Sequence, residues 1–552
     1  MEDLFETIKN LQDKYAELSK AYAELAETNT ALNTRVIKSE ALVKYYEELL
    51  RLNRAKKFGP SSEKWPIVGQ ISLFNEVEAF ADSIIIKTED DEYQTITIKH
   101  KKRRGKRAED FANLPVETIE YKIADDEAVC PIHGTHLHIM KKEIHRRLEI
   151  VPAQAKVIEE IQYSYVCRDC EQDGIEATIL RAPMPAPLLR GSFASAGAVA
   201  FIIVQKYVNA MPLYRLSQAL KYDGVNLSRQ TMCNWVLESA ALYLDHIYEE
   251  IKFKLLNEHD IIAADETTVQ VLHEPDKAPQ TKSYMWLFRT GADVDVPLVV
   301  YEYHDSRQYK HAEEFFKEHE KGCYVQCDGY DAYHNLPERF IPVGCWNHCR
   351  THFADALKVI PDAEREGSQT MAGLSYIEAI FTLEKRFKKL TPKERYKQRL
   401  AHSKPIADAF FEWAFNVNVL PKSALGKAVG YVLDQKAYLL NVYLDGRLEF
   451  TNNISERTIR YFVIGRKNWM FSNTPNGAET SARVYSIIET AKENGLNPYE
   501  YIKYVLETAP NITYSQMDTL MPWYPMLPDY CRAPKSPPPH VQDEEGTSTV
   551  QT

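Results

Sequence analysis

No run in this 552-residue chain reaches the roughly 18 apolar residues that a membrane span needs. The best candidate, Ala194 to Val208, is broken by Gln205 and Lys206, so no membrane partner is expected. A secretory leader is lacking too: Met1-Glu2-Asp3 opens without a basic region followed by an apolar one, and a cytoplasmic location is expected. Positive net charge is also missing, since 67 Lys and Arg stand against 78 Asp and Glu for a net −11. That balance excludes a uniformly basic nucleic-acid binder but not DNA as such, because phosphate affinity comes from local basic surface. An even cysteine set is absent as well: there are nine, and one pair is spaced Cys-x-x-Cys, which reads as metal binding sooner than as a disulfide framework.

What is present is globular. Hydrophobic residues at 44% and charged residues at 26% allow real cores, and the length implies roughly three or four folded units. From Leu4 to Val43 an apolar repeat of seven holds, with Leu4, Leu11, Leu18, Leu25 and Leu32 on one seam and Ile8, Tyr15, Tyr22, Val36 and Val43 on the other. Asn29 falls on the second seam, where a buried amide pairs with its twin and favours two strands. A homodimeric coiled coil over 1–55 is therefore expected, the alternative being a single amphipathic helix docked on its own domain.

Residues 56–115 read as a charged linker, in which the run His100 to Arg107 is either phosphate-facing or simply solvated. Over 116–180, Cys130 and His133, then Cys167 and Cys170, form two ligand pairs with two-residue gaps around a β-rich stretch. Three thiolates and one imidazole can close a tetrahedral structural zinc site in a ribbon. A helical region at 190–256 follows, with one helix from Leu213 to Tyr222, a turn at Asp223-Gly224-Val225-Asn226, and a second helix capped by Ser228. This is helix-turn-helix spacing that would offer Arg229, Gln230 and Asn234 to DNA, and a plain packed hairpin produces the same pattern.

Over 257–495 the pattern changes. Asp260-Ile261-Ile262-Ala263-Ala264-Asp265 is an apolar run ending in a carboxylate; strand-like segments at 284–288 and 298–303 follow, then a helix at 311–319 and Tyr324-Val325-Gln326-Cys327-Asp328. Three strands, a helix and a further strand is the opening order of a ribonuclease H-like fold, in which the first and fourth strands are neighbours. Asp265 and Asp328 would then meet. A helical insertion is expected at about 355–443, a C-terminal helical segment at 496–524, and a Pro-rich, acidic, disordered tail at 525–552. The expected fold class is thus multi-domain α/β.

Ala263-Ala264-Asp265-Glu266-Thr267, Cys327-Asp328-Gly329-Tyr330-Asp331, Gly344-Cys345-Trp346-Asn347-His348 and Asn452-Asn453-Ile454-Ser455-Glu456-Arg457 resemble the transposases of the insertion sequence 66 family. Gly465-Arg466-Lys467-Asn468-Trp469 and Ser486 to Lys492 match too, and the likeness covers nearly the whole chain. It implies an Asp-Asp-Glu centre at Asp265, Asp328 and Glu456, which would hold two Mg²⁺ ions, with Mn²⁺ as a substitute. Glu449, Glu479 and Glu489 compete for the third place; Glu456 is preferred because Asn452 and Asn453 can cap its helix and because Arg457, Arg460, Arg466 and Lys467 would offer charge to phosphate.

The family implies DNA cleavage and strand transfer of an insertion sequence in a bacterial cytoplasm, with the element's terminal inverted repeats and target DNA as partners. Accessory proteins of the same element and assembly beyond a dimer are further expectations. A zinc-containing DNA-binding regulator without catalysis, or a ribonuclease H-like nuclease without strand transfer, are the alternatives. The role of His348 stays open, and Cys323, Cys327, Cys345 and Cys349, expected on adjacent strands, read as buried thiols before a second metal site.

Overall fold

The computed structural model describes residues 154–166, 179–292 and 294–534, with Lys14, Ser19, Lys20, Tyr22, Leu25 and Asn29 described singly. Those six are helical and exposed. The rest of the heptad segment, the charged stretch after it, the tail, and Cys130, His133, Cys167 and Cys170 lie outside the described residues. The chain divides into two compact units, one of 244–493 with the N-terminal 1–87, the other of 88–243 with 494–552. Among the described residues, no helix is long and apolar enough to cross a membrane.

In the second unit, β1 (Ser164–Val166) pairs antiparallel with β2 (Ile179–Arg181). Three helices follow: α1 (Ala196–Tyr207), α2 (Leu213–Tyr222) and α3 (Arg229–Ser239). Ser195 and Ser228 start α1 and α3 by accepting the N–H of Ala198 and Thr231, each satisfying a donor that a helix N-terminus leaves free. Gly224 makes the turn between α2 and α3 at φ +79°, a conformation that costs a side-chain-bearing residue more than it costs glycine. Ile202, Ile203, Leu216, Met232 and Trp235 supply the buried faces of the three helices.

The first unit opens with α4 (Asp245–Glu258) and a five-stranded sheet: β3 (Ile261–Gln270), β4 (Lys282–Thr290), β5 (Val299–His304), β6 (Tyr324–Cys327) and β7 (Ile341–Gly344). The spatial order is β5-β4-β3-β6-β7; β3 to β5 form an antiparallel meander, while β6 and β7 run parallel to β3. Helix α5 (Tyr309–Phe316) makes the crossover from β5 to β6, as a parallel pair requires. Ile262, Ala263 and Ala264 are fully buried because both sheet faces are covered, which explains an unbroken apolar run where a half-exposed strand would alternate.

The helical stretch after β7 begins earlier than the sequence pattern implies, at α6 (Trp346–Lys358), and continues through α7 (Gln369–Phe387), α8 (Pro392–Gln398), α9 (Lys404–Asn416) and α10 (Ala424–Asp434). Trp346 anchors it: the indole is buried among Phe410, Phe411 and Phe450, and its Nε1–H donates to the Leu439 carbonyl at 2.9 Å. The chain then returns to the sheet as α11 (Asn453–Trp469) and α12 (Pro475–Glu493).

Both sheet edges are closed. Along β5, the outward N–H groups of Val299 and Tyr301 donate to Thr490 Oγ1 (3.0 Å) and Ser486 Oγ (2.7 Å) of α12, one helical turn apart. On β7, Pro342 has no N–H to offer and its carbonyl accepts from Asn441 Nδ2 at 2.7 Å. In the second unit, the chain closes with α13 (Pro498–Thr508), which starts at the Asn497 side chain and packs on α1.

Candidate active site

The last paired positions of β3 and β6 are Ala263 and Gln326. Asp265 and Asp328 each lie two residues further along these parallel strands, so they come level where the strands part. Asp265 Oδ1 accepts the Glu266 N–H at 2.8 Å, and Asp328 Oδ1 accepts the Tyr330 N–H at 3.1 Å. Burial first, then the carboxylates of Glu266, Asp328 and Glu456, hold the Asp265 carboxyl well above the usual range, against the opposing effect of the Glu266 N–H.

Glu456 reaches this place through a strap of residues ahead of its helix. Gln326 Nε2 on β6 donates to the carbonyls of Glu449 (2.7 Å) and Thr451 (3.2 Å), and the Trp346 N–H donates to that of Phe450 (2.9 Å). Asn452 follows, with its N–H on Cys345 Sγ at 3.2 Å and its Nδ2 on the Ala264 carbonyl at 2.8 Å. Asn452 does occupy the N-cap position of α11, but its side chain makes no capping bond. The amide instead ties the helix start to the strand residue before Asp265. Glu456 stands in the first turn of α11, half-exposed, and among the described residues its buried Oε1 has no hydrogen-bond partner.

Glu266, one residue from Asp265, belongs to the opposite face. Its carboxylate accepts from Arg307 Nε at 2.8 Å and from the Tyr333 hydroxyl at 2.7 Å. Arg307 in turn lies over the Tyr330 ring, 3.7 Å from its centroid. Burial and Asp328 push the Glu266 carboxyl up, while Arg307 and Tyr333 pull it down.

The rival glutamates are engaged elsewhere. Glu489 is buried and paired with Lys492 at 2.9 Å, Glu479 pairs with Arg483 at 3.8 Å, and Glu449 lies 3.9 Å from Arg395. Among the basic residues, Arg457 and Lys467 are exposed and Arg460 half-buried on α11; Glu456, Arg460 and Lys467 follow helical spacing along one stripe. Arg466, expected at DNA, is partly engaged within the fold. Its Nη1 donates to Thr267 Oγ1 (3.1 Å) and Thr268 Oγ1 (2.9 Å) of β3, and burial lowers its pKa, so it braces α11 against the sheet. Arg229, Gln230 and Asn234 are exposed on α3, where Gln230 Nε2 donates to Asn234 Oδ1 at 2.8 Å.

All four expected thiols are buried, at 5% exposure or less. They do not all sit on strands: Cys349 is on α6, and Cys345 is its N-cap residue. His348, in the first turn of α6, brings Nδ1 to 3.9 Å from Glu456 Oε1, and that nitrogen too is buried without a hydrogen-bond partner. Its partner is more than a hundred residues away in sequence, so only the fold reveals the pairing.

The donor chemistry fits a hard divalent cation between Asp265, Asp328 and Glu456. Burial first, then the charges of the neighbouring carboxylates, Asp328 and Glu456 among them, raise Asp265. A bound cation offsets that repulsion, and oxygen ligands are what magnesium takes.

Comparison with known proteins agrees with the motifs. A family model described as "Transposase IS66 family" matches residues 191–480, more than half of the chain, and "IS66 C-terminal element" matches 486–523. The "zinc-finger binding domain of transposase IS66" matches 127–171, a span that contains Cys130, His133, Cys167 and Cys170. A model described as "Transposase C of IS166 homeodomain" matches 45–119, so the charged stretch at 56–115 falls inside a homeodomain-like DNA-binding module. The chain belongs to the IS66 transposase family. Similar relatives are two uncharacterized proteins of Sinorhizobium fredii. One, y4qI, is 29% identical over 74% of this chain and 76% of its own length; the other, y4jD, is 28% identical over 76% and 83%. No solved structure matches the chain.

Proposed function

We propose that this protein is a DNA transposase that cleaves the ends of its insertion sequence and joins them to target DNA at a magnesium centre held by Asp265, Asp328 and Glu456. The observation that carries this reading is that Asp265 and Asp328 come level where β3 and β6 part and that burial, then the carboxylates of Glu266, Asp328 and Glu456, raise the Asp265 carboxyl, with Glu456 in the first turn of α11. A three-stranded meander extended by two parallel strands, in the order β5-β4-β3-β6-β7, favours a ribonuclease H-like core. Magnesium bound there supplies a sharpened water or 3′-hydroxyl nucleophile and steadies the leaving oxygen. The chain's own part is orientation: β3 and β6, where their pairing stops, fix two carboxylates, and the strap at 449–452 sets the third.

DNA affinity comes from elsewhere, through Arg457, Arg460 and Lys467 along α11, through Arg229, Gln230 and Asn234 on α3, and through the zinc-finger and homeodomain-like segments. One structural zinc is held by Cys130, His133, Cys167 and Cys170, and the N-terminal heptads pair two copies so that two element ends are held together. The protein acts in the bacterial cytoplasm. The test is a reaction of labelled element ends with a target plasmid in Mg²⁺. Asp265→Ala, Asp328→Ala and Glu456→Ala should each abolish cleavage and joining, while end binding by gel shift at fixed salt stays within about twofold. Activity in all three variants sinks the reading, and cleavage without joining by the unaltered protein replaces it with that of a nuclease.

A further inference from the structure

Beside the three carboxylates lies a cluster of different chemistry. Cys345, His348 and Glu456 place a sulfur, an imidazole nitrogen and a carboxylate oxygen within 4.8 Å of one another. A tetrahedral zinc ion, with bonds of about 2.0–2.3 Å to such ligands, sets its donor atoms roughly 3.3–3.6 Å apart. The His348 Nδ1 to Glu456 Oε1 distance of 3.9 Å is a few tenths of an ångström from that. Neither atom has a hydrogen-bond partner among the described residues, which is costly for two half-buried polar groups unless something else engages them.

The sulfur is prepared in another way. Burial pushes the Cys345 thiol up to about 11, while backbone N–H groups donated to the sulfur from Asn452 at 3.2 Å and from His348 and Asn347 at the start of α6 pull the other way, the kind of donors that steady a metal-bound thiolate. Access is open through His348 and Glu456, whose side chains are 40% and 31% exposed.

We propose that Cys345, His348 and Glu456 form a second metal site, selective for a borderline ion such as Zn²⁺ or Co²⁺, whose occupation withdraws Glu456 from the Asp265 and Asp328 carboxylates and so inhibits the enzyme. Thiolate and imidazole favour zinc over magnesium, whereas Asp265 and Asp328 offer oxygen alone. On binding, the Cys345 thiol releases its proton to solvent and the sulfur takes the metal in its place. A fourth position is left to water, as in other sites with three protein ligands. The competition requires that zinc turn Glu456 toward Cys345 and His348 instead of letting it bridge, which makes the two metals competitors for a single side chain. The inhibition rests on the proposed role of Glu456 in catalysis; the binding does not.

The test uses the full chain as purified, with its zinc content measured first. Added Co²⁺ should bind beyond the zinc-finger site with a sulfur-to-cobalt charge-transfer band in the near ultraviolet, and Cys345→Ser and His348→Ala should each abolish that increment. In the Mg²⁺ cleavage reaction, micromolar Zn²⁺ should slow the unaltered protein. Relative to each variant's own zinc-free rate, Cys345→Ser and His348→Ala should raise the half-inhibiting zinc concentration at least tenfold. Should a variant lose cleavage or misfold, the His348→Ala spectrum, taken with a circular dichroism check of folding, still decides. Absence of the cobalt increment in the unaltered protein, or its persistence in both variants, overturns the site. If the increment is present and no cleavage occurs in Mg²⁺ alone, the catalytic reading fails and the site stands. Cleavage that zinc inhibits equally in both variants overturns the competition.

Discussion

Asp265 and Glu266 are adjacent in sequence and face opposite sides of one sheet. The register places Asp265 beside Leu287 and Tyr301, and the Tyr301 hydroxyl donates to the Thr458 carbonyl of α11, which marks the face that α11 covers. Glu266 lines up with Trp286 and Glu302 on the other side, where Arg307 and Tyr333 hold it.

Glu266→Ala is therefore expected to act on stability. Removing it leaves the half-exposed Arg307 guanidinium and the buried Tyr333 hydroxyl without their shared acceptor, a loss of about 2 kcal/mol. Urea unfolding of the metal-free protein should move to lower midpoint. Asp331→Ala, whose carboxylate is 89% exposed, should leave both the midpoint and cleavage close to those of the unaltered protein. A midpoint unchanged in Glu266→Ala would show that the Arg307 contact contributes nothing.

Asn452→Ala should harm chemistry more than binding. The change leaves the buried Ala264 carbonyl without its Nδ2 donor, costing about 1–3 kcal/mol, and loosens the start of α11 relative to β3. The expected result is a fall in kcat with KM for DNA ends little altered. Loss confined to KM would place Asn452 in DNA binding instead.

Acid should destabilise the catalytic unit through His311. Burial first, then the neighbouring His304 ring stacked at 4.2 Å, pushes the His311 imidazole down to about 4, from an unfolded value near 6.5. A base whose pKa is depressed on folding contributes stability that is present above the unfolded value and is lost as pH falls toward the folded one. Melting temperature should therefore decline between about pH 6.5 and 4, and His311→Leu should flatten that limb. An identical limb in the variant would assign the acid loss to other groups.

Asn29→Leu should change the assembly state. Tyr22 and Leu25, both seam positions of the heptad pattern, are 75% and 69% exposed in the single chain, a surface that pairing would cover. Sedimentation of the full chain should give a dimer, and the variant should shift toward higher or mixed species. A concentration-independent monomer in the unaltered protein would remove the heptads from assembly.

Much of the architecture was legible because it rests on local chemistry. The α2 span from Leu213 to Tyr222, the Ser228 cap and the carboxylate of Asp328 just past its apolar strand follow from periodicity and turn residues, which act over a few positions, whereas β3 runs on beyond Asp265 to Gln270. Glu456 needed its motif as well. What stayed hidden depends on distant partners. Asn452 has the residue type of a helix cap, and only the proximity of Ala264 turns its amide toward a strand. Arg466 carries the charge of a phosphate ligand, yet Thr267 and Thr268 of β3 take its donors. The role of His348 stays open in the sequence, and the fold parts it from its neighbour Trp346, the indole turning into the core and the imidazole toward Glu456.

The closed sheet edges limit how copies of this protein can join. A hydroxyl on each of the outward amides of Val299 and Tyr301, and a proline at position 342, deny an incoming strand the ladder that it would extend. Copies brought close together on neighbouring DNA ends thus have no route to a continuous intermolecular sheet through these edges. A unit closed in this way resists fibril-like stacking at the high local concentration that the proposed assembly on DNA would bring.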